Sequence, residues 1–257
     1  MKRFVMTISD KGGSGKSVAA RVLADYYTAN GVDALLVDGD GEVGQLLKYH
    51  GRRDGDGRLV EQRPGDGVLS FALHGERTDR EKIATVLDHG APLVLCDFPA
   101  AGLTVLEQVQ VAFGFLDDIK SEGYKPTFIN PITPFAASMR TVKRMIDLGG
   151  DDCDYVVLRN QQFVEGEEDW ICWTGSDDGS IKPSSGRKVL ADAGGIELDM
   201  PRLRAGAMAL IDEFSLTFEA ACSDTRLPRY HRKYAQIWRK GCHETLDTIK
   251  DRLGVEG

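Results

Sequence analysis

Short apolar segments alternate with amphipathic ones along most of this chain. An apolar, β-branched run at 3–9 predicts a strand, and apolar positions at helical spacing predict a helix over 16–30. The same alternation recurs downstream. It predicts further strands at 34–37, 92–96, from 127 and at 155–158, and further helices at 79–88, 103–120, 135–148, 206–221 and 228–252. Strands that alternate with helices indicate an α/β fold whose mostly parallel sheet is flanked by helices.

Two segments interrupt this alternation. Residues 51–66 hold several glycines and a proline among charged residues, which predicts a loop or a small hairpin. Residues 164–186 are acidic and rich in Gly and Ser, and we interpret them as a surface excursion. Because no internal repeat and no linker stands out, we predict one domain over 1–257, with a variable C-terminal helical region from about 200.

The composition is that of an ordinary globular protein. Of the 257 residues, 42% are hydrophobic and 28% are charged, and no apolar run reaches the about 18 residues that a membrane-spanning helix needs. The first residues lead directly into the first predicted strand, so we expect neither a signal peptide nor a transmembrane segment. The net charge of −8 disfavours nucleic-acid binding by the whole surface but leaves room for a local basic patch.

The five cysteines are widely spaced and form no Cys-x-x-Cys pair. An odd number of scattered cysteines is typical of reduced thiols, so we expect a cytoplasmic protein. Iron–sulfur clusters need close sets of cysteine ligands, and the spacing therefore disfavours a role as a cluster scaffold.

The most informative segment for chemistry runs from Lys11 to Ser17 and reads KGGSGKS. It lies between the first predicted strand and the first predicted helix, which is the setting of a phosphate-binding loop. The glycines let backbone N–H groups turn towards phosphate oxygens, Lys16 can reach the β- and γ-phosphates, and the Ser17 hydroxyl can bind Mg²⁺. A glycine-rich turn without a ligand is the alternative. The predicted nucleotide-binding residues of the loop are Gly12, Gly13, Ser14, Gly15, Lys16, Ser17 and Val18.

The loop departs from the usual phosphate-loop pattern at its start. Asp10 stands in place of the leading glycine, and a second lysine, Lys11, follows it. This variant resembles the deviant Walker A loop of the ParA/MinD family of dimerising P-loop ATPases. The resemblance implies an ATPase with ATP and Mg²⁺ as cofactors, in which Lys11 reaches across an ATP-dependent homodimer to the partner subunit's nucleotide. A cation there would stabilise charge that develops during phosphoryl transfer, whereas a solvated loop lysine is the alternative for Lys11 alone.

Aspartates follow two predicted strands at their C-terminal ends: Asp38 and Asp40 after the second strand, and Asp97 after a later one. Ligands bind at this edge of parallel sheets, so the three carboxylates are expected near one Mg²⁺–nucleotide. Taken alone, each segment is also compatible with a simple turn. By the resemblance, Asp97 is the Walker B residue that holds a metal-bound water, Asp38 is a group close to the metal, and Asp40 orients the attacking water. The segment from Asp97 to Gly102 likewise resembles the family's second switch, a loop that senses the γ-phosphate.

Asn160 follows the strand predicted at 155–158. Its amide offers a donor and an acceptor, which matches the edge of an adenine base. It resembles the base-contacting Asn of the family, although Gln161 follows where Lys is usual, and a turn-forming Asn is the alternative. With Asn160 added to the nucleotide-binding set, the predicted catalytic residues are Lys11, Lys16 and Asp40, and the predicted metal-binding residues are Ser17, Asp38 and Asp97.

The segment 228–240 bears on the choice of partner. On a helix, a basic stripe would lie opposite an apolar one that packs on the core. A basic stripe suits non-specific binding to DNA phosphates, and a solvated helix face is the alternative. The mixed charge of 244–253 disfavours a membrane-surface helix. The apolar side is predicted to hold Tyr230, Tyr234, Ile237 and Trp238, and the basic side Arg229, Arg232, Lys233, Arg239 and Lys240.

Two functions remain open from the sequence. The first is a nucleotide-switched ATPase that positions or partitions DNA or other cargo, including relatives in plasmid partition and conjugal transfer. The second is an ATP-dependent assembly or maturation factor for a client protein or a metal centre. Either one implies an unidentified stimulating or cargo protein. ATP-dependent DNA binding would favour the first, and stable co-purification with a metalloenzyme the second. Lys11 disfavours a small-molecule kinase.

Overall fold

A seven-stranded, all-parallel sheet forms the centre of the computed structural model, which describes residues 1–255. In spatial order the strands run β3-β2-β4-β1-β5-β6-β7, so β1 lies in the middle. This arrangement confirms the predicted α/β fold with a mostly parallel sheet. The strands are β1 (Lys2–Thr7), β2 (Leu35–Asp38), β3 (Val68–Ser70), β4 (Leu93–Asp97), β5 (Tyr124–Ile132), β6 (Asp154–Asn160) and β7 (Ile196–Met200).

Helices cover both faces of this sheet. They are α1 (Lys16–Ala29), α2 (Gln45–His50), α3 (Arg77–Glu81), α4 (Gly102–Phe113), α5 (Phe115–Ser121), α6 (Ala136–Gly149), α7 (Ile171–Thr174), α8 (Ser185–Asp192), α9 (Ala205–Glu213), α10 (Phe218–Ala221) and α11 (Arg229–Asp247). Short 3₁₀ turns occupy Gly41–Val43, Lys82–His89, Gln161–Phe163, Glu167–Trp170 and Lys250–Leu253.

Alternate residues of each strand supply two separate hydrophobic cores, as strand geometry requires. Phe4 and Met6 of β1 pack with α4, α5 and α6 on one face, and Val5 packs with α1 and α11 on the other. Because the central strands are buried on both faces, they read in the sequence as continuous apolar runs.

Glycine and serine residues in left-handed conformations break two segments that were predicted as single helices. The helix predicted at 103–120 is two helices, because Gly114 has a φ of 71° and lies between α4 and α5. The helix predicted at 206–221 is interrupted near Ser215, with a φ of 49°. The residues predicted as a helix at 79–88 form the end of α3 and a 3₁₀ turn.

The interpretation of 164–186 as a surface excursion is wrong in its first half. Trp170 and Trp173 are fully buried in the core beside α6, and the Trp173 Nε1–H donates to Glu197 Oε2 at 3.0 Å. Two indole rings therefore anchor a segment whose composition is otherwise that of a loop. Isolated antiparallel bridges between Arg53 and Leu59, and between Arg63 and Asp66, agree with the hairpin predicted at 51–66.

Helix α11 forms, but its two sides differ from the prediction. Tyr230 and Ile237 are 58% and 60% exposed, although both were predicted to pack on the core with Trp238. Arg239, predicted to lie on the basic side, turns inwards and pairs with buried Asp25 of α1 at 2.6 Å. The two sides differ because the face of α11 that packs on the core is set by residues spaced three or four positions apart, and Tyr230, Ile237 and Arg239 are not among them. The buried residues of α11 are Ala235, Trp238, Cys242 and Leu246.

Within residues 1–255, no helix is both long enough and apolar enough to cross a lipid bilayer. The residue range predicted as one domain ends at 257, and its last two residues lie outside the described part of the chain.

Candidate functional site

The phosphate-loop motif lies between the end of β1 and the start of α1, at the C-terminal edge of the sheet. Gly13 and Gly15 have φ values of 76° and 100°, in the left-handed region that favours glycine. Gly15 is further constrained by contact, because a Cβ there would lie 2.5 Å from Asn160 Nδ2. The loop therefore needs a glycine at position 15 for both its backbone angle and its neighbour.

Lys16 and Asp97 face each other across this loop. Lys16 Nζ lies 2.8 Å from Asp97 Oδ1 and 3.1 Å from Ser17 Oγ, and the Thr7 hydroxyl donates to the same Asp97 oxygen at 2.6 Å. Asp97 Oδ2 is buried and has no hydrogen-bond partner among the described residues. A buried carboxylate oxygen without a partner, on a residue that shares a lysine contact with a serine hydroxyl, fits the requirements of a Mg²⁺ site.

Asp38 shapes the loop that follows β2. Its Oδ1 accepts from the Asp40 N–H and its Oδ2 from the Leu47 N–H, both at 3.0 Å. Burial, with a contribution from the nearby charge of Asp97, raises the pKa of Asp38 to about 6. Gly44 is required beside it, because a Cβ there would lie 2.0 Å from Asp38 Oδ1.

Asp40 and Lys11 lie in the open part of the site. Asp40 lines a cleft of about 310 Å³ together with Lys11, Ser17 and Gln45. The Asp40 carboxylate is partly exposed, and His74 Nδ1 approaches it to 4.0 Å. Lys11 is exposed, and within residues 1–255 its Nζ has no hydrogen-bond or ion-pair partner. Both side chains are therefore available to a bound molecule.

Asn160 is buried against the phosphate loop. Its Nδ2 donates to the Ser14 carbonyl at 2.9 Å, and its Oδ1 accepts from the Gln162 N–H at 3.0 Å. These bonds hold the loop in place and also create the turn that the sequence offered as the alternative. A contact with a nucleotide base stays a prediction for Asn160.

An apolar cavity of about 380 Å³ opens beside Asn160 and Val18. Its walls include Phe163, Met200 and Trp238, none of which the sequence suggested as site residues. Thr7 and Gln45 were missed as well. Thr7 carried a usable signal, since it is the last residue of the strand that leads into the loop.

Among residues 1–255, no group of three or more His, Cys, Asp or Glu side chains has the arrangement of a metal site. Mg²⁺ does not need such a group, because it takes few protein ligands and keeps several waters.

Comparisons with known proteins place this geometry on a known architecture. No protein-family model matches the chain, and no curated protein sequence matches it significantly. Three similar solved structures cover nearly the whole chain. MinD of Pyrococcus horikoshii with Mg-ADP is 17% identical, with a TM-score of 0.54 over 97% of each chain. The MinC:MinD complex of Aquifex aeolicus is 16% identical, with a TM-score of 0.52 over 98% of this chain and 96% of that one, and McdA of Cyanothece with ATP is 10% identical, with a TM-score of 0.53 over 100% of this chain and 98% of that one.

The chain has the fold of MinD and McdA. The structural similarity extends over nearly the whole length of the described chain. It includes the regions 51–90 and 161–255, which contain none of the phosphate-loop, aspartate or Asn160 positions that carry the resemblance. This finding agrees with the resemblance carried by the phosphate loop. At identities of 10 to 17%, it establishes the fold and leaves the chemistry to the side chains of the site.

Proposed function

We propose that this protein is an ATP-hydrolysing, nucleotide-switched dimer of the ParA/MinD type that positions or partitions a cargo. The observation that carries the proposal is the cleft at the edge of the sheet. There Lys16 faces Asp97 across the phosphate loop, and Asp40 and Lys11 line the same opening. A positively charged loop with carboxylates at the ends of neighbouring strands suits phosphoryl transfer from a nucleotide.

Each side chain has a role in this proposal. The backbone N–H groups of the loop and the Lys16 ammonium bind the phosphates, while Ser17 and Asp97 would hold Mg²⁺, which neutralises charge on the phosphate oxygens. Asp40 orients the attacking water, and Asp38 keeps Asp40 in place through the bond to its backbone N–H. The apolar cavity beside Asn160 receives the base. Neighbouring structures of this fold contain Mg-ADP and ATP, which supports a nucleotide as the ligand.

Exposed apolar side chains around the cleft support a dimer. Val43, Phe135 and Phe163 are 77%, 63% and 55% exposed. They follow β2, β5 and β6, so all three lie at the sheet edge that carries the phosphate loop. Large exposed apolar side chains at one edge of a sheet suit burial by a second protein surface. A second subunit docked there would cover it and bring each Lys11 towards the opposite nucleotide.

We expect Lys11→Ala to retain ATP binding and to lose ATP-dependent dimerisation. The Lys11 side chain has no hydrogen-bond or ion-pair partner within residues 1–255, and the bond from its backbone N–H to Ser9 Oγ does not depend on the side chain. The variant should therefore fold and bind normally, whereas the cation offered to the second subunit is gone. Light scattering should show the parent as a monomer alone or with ADP and as a dimer with ATP. The variant should remain a monomer throughout. One mass for the parent in every nucleotide state would refute the switch, and an unchanged dimer in the variant would refute the role of Lys11.

We propose that the protein binds DNA through the exposed basic residues of α11. Arg229 and Lys233 are exposed on this helix, and so is Lys240, which pairs with Glu244 at 3.4 Å. Arg239 is engaged with Asp25, and Arg232 donates to the Leu227 carbonyl. Few phosphate contacts per subunit give weak binding, and a dimer doubles their number.

We expect the ATP-bound dimer to retard any DNA duplex in a low-salt gel shift, and the retardation to fall steeply as salt is added. Arg229→Glu with Lys233→Glu should abolish it and leave ATP hydrolysis intact. The matched control is Lys82→Glu with Lys143→Glu, which makes the same charge change on the opposite layer. Equal loss in both double variants would refute α11 as the DNA surface. Absence of any retardation by the parent would reject DNA and favour the assembly or maturation of a client protein.

A further inference from the structure

Asp10, the residue that replaces the leading glycine of the loop, binds the start of α4. Its Oδ1 accepts from the backbone N–H groups of Leu103 and Thr104, at 3.0 and 3.3 Å. The Ser9 carbonyl accepts from the Gly102 N–H beside them at 3.3 Å. The first turn of α4 is thus satisfied by the phosphate loop itself, through contacts that a glycine at position 10 could not all supply.

Arg144 of α6 extends this contact to a third element. Its guanidinium binds Asp10 Oδ2 and both carboxylate oxygens of Glu107 on α4, and it donates to Thr104 Oγ1 at 3.1 Å. The hydrogen bonds from Arg144 lower the pKa of Glu107. A planar guanidinium that binds two carboxylates at once fixes their relative orientation as well as their distance. The loop, α4 and α6 are therefore joined at one side chain.

The segment between Asp97 and α4 has little freedom between its two anchors. Asp97 is held by Lys16 and Thr7 at one end, and Gly102 is held by Ser9 at the other. Within the segment, Ala100 lines the cleft and Ala101 has a φ of 58°, a left-handed conformation that is strained for a residue other than glycine. Such strain persists only when the surroundings enforce it, and the restraints next to Ala101 are the Ser9–Gly102 bond and, one residue further on, the bonds of Asp10 to α4.

We propose that Asp10 and Arg144 are positioning residues that hold α4 against the phosphate loop, so that the segment 98–101 is set correctly at the cleft for ATP turnover. The inference rests on the proposed function and deepens it. It assigns a role to the departure from the usual loop pattern at position 10. Misplacing groups beside a reacting phosphate by about 1 Å is costly in rate. The contacts of the phosphate loop with the nucleotide do not depend on Asp10 or Arg144.

The test compares two neighbouring residues of α6. Arg144→Gln should lower the turnover number about tenfold and leave the affinity for ATP within about twofold. The matched control is Lys143→Gln, whose exposed side chain pairs with Asp147 of the same helix, and it should leave both quantities unchanged. Asp10→Asn should lower turnover as Arg144→Gln does. The double variant Asp10→Asn/Arg144→Gln should be no slower than Arg144→Gln alone, because Arg144→Gln already removes the contact that Asp10→Asn removes.

Hydrogen exchange at the amides of Leu103 and Thr104 provides a second measurement, made without nucleotide. Asp10→Asn keeps an oxygen that accepts from these amides and should preserve their protection, whereas Asp10→Ala should lose it. Equal effects of Arg144→Gln and Lys143→Gln, multiplying effects in the double variant, or unchanged turnover in Asp10→Ala would each overturn the proposal. A parent protein that hydrolyses no ATP would overturn the proposed function instead, and the exchange measurement would still decide whether Asp10 anchors α4.

Discussion

Lys16→Ala should abolish nucleotide binding. Lys16 is the only cation of the phosphate loop whose position is fixed by the fold, since its Nζ is bonded to Asp97 and Ser17. Charge-assisted bonds to phosphate are among the strongest in proteins, and we expect the affinity for ADP and Mg²⁺ to fall roughly 100-fold or more. Isothermal titration calorimetry measures this loss directly. Unchanged affinity would refute the assignment of the loop as a phosphate site.

The same variant has a structural cost that its controls must separate from binding. Removing Lys16 leaves the almost fully buried Asp97 without its ion partner, and breaking a buried pair on one side costs about 3 to 5 kcal/mol. Lys16→Arg keeps the positive charge beside Asp97, so it should restore stability in a thermal melt while its larger planar head binds nucleotide poorly. Lys11→Ala, on an exposed side chain of the same loop, should bind ADP as the parent does.

Much of the fold could be predicted because the central strands are apolar on both faces. β1, β4 and β6 stand out as short apolar runs, and parallel strands buried on both sides require such runs. The edge strands β3 and β7 were missed, since β3 has three residues and β7 alternates apolar residues with Glu197 and Asp199. Short strands at an edge carry little hydrophobic signal.

The candidate site shows the same division between local and distant information. Lys16 and Ser17 were predicted from a local motif, and in the structure Lys16 contacts both Ser17 and Asp97. The contact of Asp10 with Arg144 joins residues far apart in the sequence, and no motif or residue spacing in the sequence predicts it. Composition also misled at Trp170, because two buried indoles outweigh the polar residues around them.

The three aspartates of the site are chemically distinct in the structure, although the sequence presents them alike. Asp38 is closed off by its own loop, and its raised pKa reflects burial rather than contact with a ligand. Asp97 is paired with Lys16 and keeps one oxygen free. Asp40 is the one that is open to the cleft. These environments favour Asp40 as the residue that acts on a water molecule.

Asp40→Ala should therefore bind ATP with the affinity of the parent. It should hydrolyse ATP at least about 100-fold more slowly, which is the usual effect of losing a group that orients or activates the nucleophile. The Asp40 carboxylate does not hold the phosphate loop, so binding should survive its loss. Glu42→Ala is the matched control, since Glu42 is an exposed acid two residues further on and should turn over ATP at the parent rate.

The second expected effect of Asp40→Ala is on assembly. If ATP drives dimerisation and hydrolysis ends it, a subunit that keeps its ATP should stay dimeric, because the dimer is stabilised for as long as the ligand that favours it remains bound. Light scattering over the course of a turnover assay should show the parent returning to the monomer as ATP is consumed, and Asp40→Ala remaining a dimer. Phosphate release at the parent rate would show that Asp40 does not orient the water. If the Asp40→Ala dimer dissociates although its ATP is hydrolysed slowly, then hydrolysis is not what ends the dimer. In that case the dimer equilibrium would depend on the binding and release of ATP rather than on its hydrolysis.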